Sequence, residues 1–307
     1  VKFVGIGTHL KFYIMEGIFP NDVTPLRLTT SAGDVTFAAT NGSRTLTITD
    51  TAHGAVRNDF VTFSGAVTLN GNINADVINH EYQIATIINV NSYTVLAATA
   101  AGEAVTASSS DNGNGGGSTV GKYQVNTGLT NFVAAAGWGA DPWGQGLWGS
   151  ASGLGDGDQL RLYSQDNFGE DLVFCARDIG IYYWDASSGL NNRGVDITEL
   201  GGASNCPTVA AQILVSDNDQ HVVAFGANNL GSATQDPLLI RWSDQESITD
   251  WTPTATNTAG GVRINSGSKI VGAVQTRQEI LLWTDVSTHS MRFVGAPFIF
   301  QFTTISS

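Results

Sequence analysis

The chain has 307 residues, of which 42% are hydrophobic and only 13% are charged, and its 14 basic and 27 acidic residues leave a net charge of −13. That balance excludes a protein that binds nucleic acid through clustered Lys and Arg. We also expect no membrane span, because no run approaches roughly 18 apolar residues, and no signal peptide. The abundant Gly, Ser, Thr and Asn favour strands and tight turns over surface helices, so we predict an all-β fold.

The first 30 residues predict strands that belong to the same region as the C-terminal half of the chain. Apolar runs at 5–8 and 10–15 are followed by turn residues at 16–17 and at 20–22. The composition then changes, and residues 31–108 predict a separate small β-module. Its runs at 45–49, 60–63, 82–87 and 92–96 are short, and several alternate with period two, as half-buried strands do. We predict five or six strands in a sandwich or barrel, inserted into the rest of the chain.

Residues 109–136 are predicted to be a Gly/Ser-rich linker followed by connecting strands, because Ser, Asp, Asn and Gly make up 108–118. The next run, 137–149, carries Trp138, Trp143 and Trp148 between glycines, at a five-residue spacing that is incompatible with a regular helix. Two interpretations are open. The rings form a wall that binds sugars or bases by stacking, or they cover a core or an interface while the glycines let the backbone lie flat.

Residues 137–307 predict β-propeller blades. Hairpin-like runs at 172–185 and 269–285, and a third with a longer loop at 220–244, each end in Trp followed closely by Asp. Their marker residues Trp184, Trp242 and Trp283 recur at intervals of about 40 to 60 residues, close to the length of a blade. The run 11–16 is predicted to be the tail of an earlier blade. We predict that Trp242 is buried between blades and that Asp244 accepts hydrogen bonds from backbone amides in the turn that follows.

Patterns that would indicate catalysis or a cofactor are missing from the sequence. The five histidines match no metal motif, and neither a nucleophile elbow nor a phosphate-binding loop is present. We therefore predict no enzyme, no cofactor and no metal site. The carboxylates of 244–250 leave two interpretations: the acid pair of a glycosidase, or caps of a turn between two blades that ends at Trp251. The turn at 216–219 offers few ligands for an ion.

The two cysteines do not indicate a disulfide framework. Cys175 lies in an apolar run and is predicted to be a core residue, whereas Cys206 precedes Pro207 in a loop. A single bridge between them is open at this point.

Residues 237–294 contain the runs Leu239-Ile-Arg-Trp-Ser-Asp-Gln-Glu-Ser-Ile-Thr-Asp-Trp251 and Gln275-Thr-Arg-Gln-Glu-Ile-Leu-Leu-Trp-Thr-Asp285. They resemble the tail-hub or nozzle proteins of short-tailed bacteriophages, also called tail tubular or DNA-stabilisation proteins. The run 138–149 is similar to theirs, and 51–95 is similar to a small β-module that recurs in phage structural proteins. The resemblance implies a hexameric tube in the virion tail, below the portal and adaptor, through which the genome leaves. It implies adaptor and fibre or spike subunits as partners and no catalytic residues; family members are longer.

Three functions follow from these observations. The first is a structural conduit whose acidic lumen repels DNA and lets it slide. The second is a carbohydrate- or receptor-binding module of a virion, which depends on exposure of the Trp138–Trp148 rings. The third is a propeller glycosidase or lyase, which needs two of the carboxylates Asp244, Glu246 and Asp250 to face each other across a cleft.

Overall fold

The computed structural model describes residues 3–130, 160–217 and 219–307, and almost all of its regular structure is β-strand. Among the described residues there is one four-residue helix and two short 3-10 turns. This confirms the predicted all-β class. None of the helices in these ranges is long and apolar enough to cross a membrane. The chain divides into two compact units: one holds 3–8, 12–23 and 161–307, and the other holds 9–11, 24–130 and 160.

The first unit begins with a three-stranded antiparallel sheet, which we call blade 1. Its strands are β1 (Phe3–Gly7), β2 (Phe12–Glu16) and β3 (Phe19–Asp22), and β2 pairs with both others. The run 11–16 is therefore mostly the middle strand of a sheet, and the prediction that it ends a blade is wrong. Residues 20–22, predicted as a turn, belong to β3. The chain reverses earlier, at Gly17, whose φ of 64° suits glycine.

The second unit is a β-sandwich. Its strands are β4 (Leu26–Thr29), β5 (Thr36–Ala39), β6 (Thr45–Thr49), β7 (Phe60–Ser64), β8 (Glu81–Gln83), β9 (Thr86–Asn89), β10 (Ser92–Leu96), β11 (Asp111–Asn114) and β12 (Val120–Gln124). They form a four-stranded sheet of order β4-β12-β7-β8 and a five-stranded sheet of order β11-β5-β6-β10-β9. The short helix α1 (Ala75–Ile78) follows β7 and is capped by Asn74, whose Oδ1 accepts from the Val77 amide at 3.0 Å.

Alternation along the strands explains why the two sheets pack face to face. In β6 the side chains of Leu46 and Ile48 are buried and the threonines between them are not, and β7 and β10 show the same alternation. These apolar faces meet in one core. The unit extends beyond the predicted 31–108 on both sides, because β12 pairs with β4 and β7 and because β11 lies within the Gly/Ser-rich run. As an exposed edge strand made of Asp, Asn and Gly, β11 has no apolar pattern to mark it.

The rest of the first unit consists of three four-stranded antiparallel sheets, each with its strands in chain order. Blade 2 contains β13 (Tyr163–Phe168), β14 (Asp171–Ala176), β15 (Gly180–Trp184) and β16 (Val195–Asp196); blade 3 contains β17 (Gln212–Val215), β18 (Val222–Phe225), β19 (Leu239–Trp242) and β20 (Gly260–Arg263); blade 4 contains β21 (Ile270–Gln275), β22 (Ile280–Thr284), β23 (Thr288–Gly295) and β24 (Ile299–Ser306). Sequential four-stranded meanders of this kind are propeller blades, so the predicted blades and inserted module are confirmed.

Successive blades pack face to face, so each blade has a preceding face, turned toward the blade before it, and a following face, turned toward the blade after it. Apolar residues of the following face of blade 2 and the preceding face of blade 3 share one core, and blades 3 and 4 share another. At the start of the unit, Phe12 stacks on Phe174 with ring centroids 4.1 Å apart. Because strands such as β18 are buried on both faces, they are apolar at every position.

Candidate functional site

Trp184 and Trp242 are each the last residue of the third strand of their blade, but they lie on opposite faces: Trp184 meets Phe3 of blade 1 at 5.5 Å, whereas Trp242 faces blade 4. Both are buried, and each indole N–H donates to a carbonyl oxygen: that of Trp184 to Asn192 at 3.2 Å and that of Trp242 to Thr258 at 2.8 Å. The Trp242 ring meets the edge of Phe300 of blade 4 at 5.1 Å. The predicted burial of Trp242 between blades is confirmed, and both rings act as wedges between neighbouring blades.

Trp283 does not share this position. It lies in β22, the second strand of blade 4, and 38% of its surface is exposed. The run 269–285 contains strands one and two of its blade, whereas 172–185 contains strands two and three, so the apparent repeat was out of phase by one strand. Trp283 points away from blade 3, because its neighbour Leu282 is the residue that enters the shared core. Trp138, Trp143 and Trp148 lie outside the described residues.

Asp244 organises the loop that joins β19 to β20. Its Oδ1 accepts hydrogen bonds from the amide of Thr258 at 2.8 Å and from the Thr258 hydroxyl at 2.6 Å. The predicted bond to a backbone amide is confirmed, although the donor lies at the far end of the loop rather than in the next turn. Partial burial alone would raise the pKa of the Asp244 carboxyl, but the hydrogen bonds from Thr258 outweigh it and lower the pKa. Asp244 is thus a charged cap of this loop.

The same loop holds Trp251 and Asp250 in structural roles. Trp251 is buried, and its indole donates to the Ile248 carbonyl at 2.9 Å. The Asp250 carboxylate accepts from the Thr252 amide at 3.1 Å and from the Asn257 side chain at 3.1 Å. Glu246 is exposed. Two of the three carboxylates considered for glycosidase chemistry are therefore engaged in holding the loop.

A ladder of polar side chains joins the first strands of the blades. Gln165 of blade 2 donates to the Gly5 carbonyl of blade 1 at 3.0 Å. In the other direction, Ser164 and Asp166 accept from the amides of Ile213 and Val215 of blade 3, both at 2.9 Å. Gln212 then makes a two-point contact with Ala273 of blade 4, accepting from its amide at 2.9 Å and donating to its carbonyl at 2.7 Å. The first strand lies at one edge of each blade and is paired with a neighbouring strand on one side only. The polar side chains of this interblade ladder give hydrogen-bond partners to backbone groups of these edge strands.

An acidic groove lies over one end of blades 2 and 3, where the turns after their first and third strands meet. It encloses about 600 Å³ and is lined by Phe168, Gly169, Glu170, Asp171, Asp185, Ser187, Gln220 and Glu246. Its lining therefore holds four carboxylates and neither Lys nor Arg. Hydrogen bonds from Ser187 and Ser188 lower the pKa of Asp185, which keeps it charged at neutral pH. Sequence reasoning missed this groove, since its acids come from three separate turns; the Glu170-Asp171 pair was the only local signal.

Buried titratable groups elsewhere have structural partners. The Nδ1 of His53 accepts from the Ala55 amide at 3.0 Å, and its Nε2 donates to the Asn89 carbonyl at 3.1 Å. Cys175 and Cys206 are free thiols, so the open question of a bridge is settled against it. Burial raises the pKa of the Cys206 thiol to about 11. Within 3–130, 160–217 and 219–307, no group of three or more His, Cys, Asp or Glu is placed to hold a metal. In the turn at 216–219, Ser216 donates to Asp219 at 3.0 Å, and Asn218 lies outside the described residues.

Comparisons with known proteins give little further information. No family model and no curated protein matches the chain. Among solved structures it is similar to the phage phi92 endosialidase, with 14% identity, a TM-score of 0.25, and coverage of 94% of this chain and 37% of that chain. The chain thus spans little more than a third of the length of that protein. A likeness at this level says nothing about the activity of this chain.

Proposed function

We propose that this chain is a structural component of a bacteriophage tail, part of a nozzle or hub in which several copies surround a conduit for the genome. The observation that carries the proposal is the charge distribution. The chain has 27 acidic residues against 14 basic ones, and four of the acids line one groove on the blades. Residues 237–294 resemble nozzle proteins of short-tailed bacteriophages, and this resemblance is the reason that the proposal names a nozzle or hub.

The physical basis is repulsion. A protein surface that guides DNA without retaining it must not neutralise phosphates, because each phosphate contact by Lys or Arg releases counterions and adds affinity. Clustered carboxylates on rigid β-sheets produce a negative potential that falls off within roughly 10 Å in physiological salt. The interblade ladder and the two interblade cores supply the rigidity, since they tie each blade to the next at its first strand.

We further propose that the chain has no catalytic activity on glycans or nucleic acids. The carboxylates of Asp244 and Asp250 are engaged by the loop that they cap. Incubation with host surface polysaccharide should therefore give no reducing ends. Turnover that disappears in Asp244→Asn or Glu246→Gln would establish the glycosidase instead, and glycan binding without turnover would establish the receptor-binding alternative.

The conduit proposal is tested by measuring DNA affinity and assembly together. Fluorescence anisotropy with a labelled duplex should show no binding at physiological salt, and electron microscopy of the concentrated protein should show rings with an open channel. The double variant Glu170→Lys, Glu246→Lys reverses charge in the groove and should gain salt-sensitive affinity for the duplex. The matched variant Glu103→Lys, on the sandwich, should not. Tight, salt-sensitive binding by the unmodified protein would overturn the proposal.

A further inference from the structure

A lysine, a glutamate and a glutamine meet within the sandwich unit. The Nζ of Lys11 lies 2.5 Å from Oε1 of Glu81. The Nε2 of Gln124 donates to Oε2 of the same carboxylate at 2.6 Å. One carboxylate therefore contacts both the amine of a lysine and the amide nitrogen of a glutamine, although the three residues are far apart along the chain.

The sheet and the segment 9–11 shield these groups from water. Glu81 lies in β8 and Gln124 in β12, the two neighbours of β7 in the four-stranded sheet. The ammonium group of Lys11 lies over the ring of Phe60 in β7, 4.2 Å from its centroid. Lys11 is 7% exposed and Gln124 is 1% exposed, whereas the side chain of Glu81 is 32% exposed. The amine and the amide are thus enclosed, while the carboxylate reaches solvent.

These are the three groups that an amide bond between two side chains requires. A lysine amine that has lost a proton is a nucleophile, and the amide carbon of a glutamine is the atom that it attacks. A carboxylate in hydrogen-bond contact with both nitrogens moves protons from one to the other. Contact within one chain replaces a bimolecular encounter, and the exclusion of water suppresses hydrolysis of the amide.

We propose that Lys11 and Gln124 become joined by an isopeptide bond, with Glu81 as the acid and base of the reaction. The bond from Nζ of Lys11 to Cδ of Gln124 forms, and the bond from Cδ to Nε2 breaks. The Lys11 ammonium gives up two protons, which the Glu81 carboxylate passes to Nε2, so that this nitrogen leaves as an ammonium ion. A charged amine and an amide thus yield a new amide and ammonium, and no oxidant or further reactant takes part.

The bond would close one covalent loop around the whole sandwich. It would attach residues 9–11, which connect β1 to β2, to the last strand of the sandwich, and every other sandwich strand lies between them in the chain. A covalent loop lowers the conformational entropy of the unfolded chain, as a disulfide does. Both cysteines are free thiols, so this cross-link would stabilise the chain in a way that reducing agents do not reverse. It does not depend on the proposed conduit.

Mass spectrometry of the full chain tests the bond. The unmodified protein should be lighter than its sequence by one ammonia, and a protease digest should contain a branched peptide that joins Lys11 to Gln124. Lys11→Arg keeps a positive charge beside Glu81 but removes the amine, and Glu81→Gln removes the carboxylate, so both variants should have the full mass. Lys122→Arg, at an exposed lysine of β12, is the matched control and should still lose ammonia.

An unmodified protein that keeps its full mass after prolonged incubation would overturn the proposal. An ammonia loss that persists in Lys11→Arg would also overturn it, because ring closure at an Asn-Gly step such as 70–71 releases ammonia as well. A branched peptide that forms in Glu81→Gln would overturn the role of Glu81. Circular dichroism should show that each variant is folded. A variant that unfolds is replaced by Gln124→Leu, which removes the attacked carbon and should have the full mass of its sequence.

Discussion

The sandwich and the blades are built from the same antiparallel strands, yet they bury side chains in different patterns. In the sandwich, each sheet has one face against the core and one in solvent, so β6 and β10 alternate between buried and exposed residues. In blades 2 and 3 the central strands are covered on both faces, and β18 is buried at every position. The number of layers above and below a strand, rather than the strand itself, therefore determines its sequence pattern.

The two regions also differ in where they place polar groups. The sandwich keeps a chain of hydroxyl and carboxyl groups inside its core: Tyr93 and Tyr123 share a hydrogen bond at 2.8 Å, and Tyr123 donates to Asp50 at 2.6 Å. All three residues are buried. The blades bury polar side chains as well, such as His221 and Arg241, but many of their polar contacts lie in the ladder and the loop caps, where the groups are only partly buried. Removal of single groups should therefore affect the two regions differently.

The largest effect is expected from Trp242→Ala, which removes the wedge between blades 3 and 4. Loss of a large buried aromatic side chain costs about 3–5 kcal/mol, through lost apolar burial and the cavity left behind. Urea unfolding should show this loss. Trp283→Ala, at the exposed tryptophan of the neighbouring blade, should cost about 1 kcal/mol or less. Equal costs would mean that Trp242 is not a wedge and that the two tryptophans are equivalent, as the sequence repeat predicted.

A smaller effect is expected when the hydroxyl chain of the sandwich is cut. Tyr123→Phe leaves the buried Asp50 carboxyl and the Tyr93 hydroxyl each short of a partner, which should cost about 1–3 kcal/mol. Tyr183→Phe in blade 2 is the control, because its hydroxyl also donates to a carboxylate, that of Asp171, but both residues are only partly buried. Tyr183→Phe should lower the free energy of unfolding by well under half as much as Tyr123→Phe. A larger loss for Tyr183→Phe would contradict the contrast between the two regions.

The interblade ladder should contribute about as much as ordinary hydrogen bonds. Gln212→Ala removes two bonds to the Ala273 backbone and should cost about 1–2 kcal/mol. Gln165→Ala, which removes one bond to Gly5, should cost about half of that. Hydrogen exchange should localise the change, with faster exchange of the Ala273 amide in the first variant. Unchanged exchange at Ala273 would show that the glutamine does not protect this strand.

The smallest expected effect is a dependence of stability on pH that comes from one histidine of the blades. Burial lowers the pKa of His221, whose Nε2 donates to Thr258 at 2.9 Å and whose Nδ1 has no hydrogen-bond partner. The folded-state pKa lies below the ordinary value of 6.5, so the unfolded chain takes up a proton first. Its contribution to stability is present above pH 6.5 and is lost as the pH falls below it. His221→Gln should flatten the decline in melting temperature from pH 7.5 to 5.5, and an unchanged slope in this variant would show that His221 is not its source.

Predictions from the sequence were correct where a residue pattern depends only on the local conformation of the chain. Alternation located β6, β7 and β10 almost to the residue, and the repeated runs that end in Trp and Asp led to the correct predictions of a buried Trp242 and a capping Asp244. It failed where the pattern is ambiguous. The polar edge strand β11 carries no apolar period, so it was assigned to a linker. The run 269–285 was matched to the wrong pair of strands because one hairpin of a meander has the same pattern as the next.

By itself, the sequence determined the class of fold and the existence of two regions, because side-chain alternation, turn residues and the shortage of helix formers act within a few residues of one another. Only the tertiary structure decided which faces are paired. Trp184 and Trp283 have similar neighbours along the chain, yet one is a buried wedge and the other stands on an uncovered face. Likewise, Glu170, Asp185 and Glu246 form one groove only because blades 2 and 3 bring three distant turns together. Burial and electrostatic potential depend on distances through space, which the order of residues does not contain.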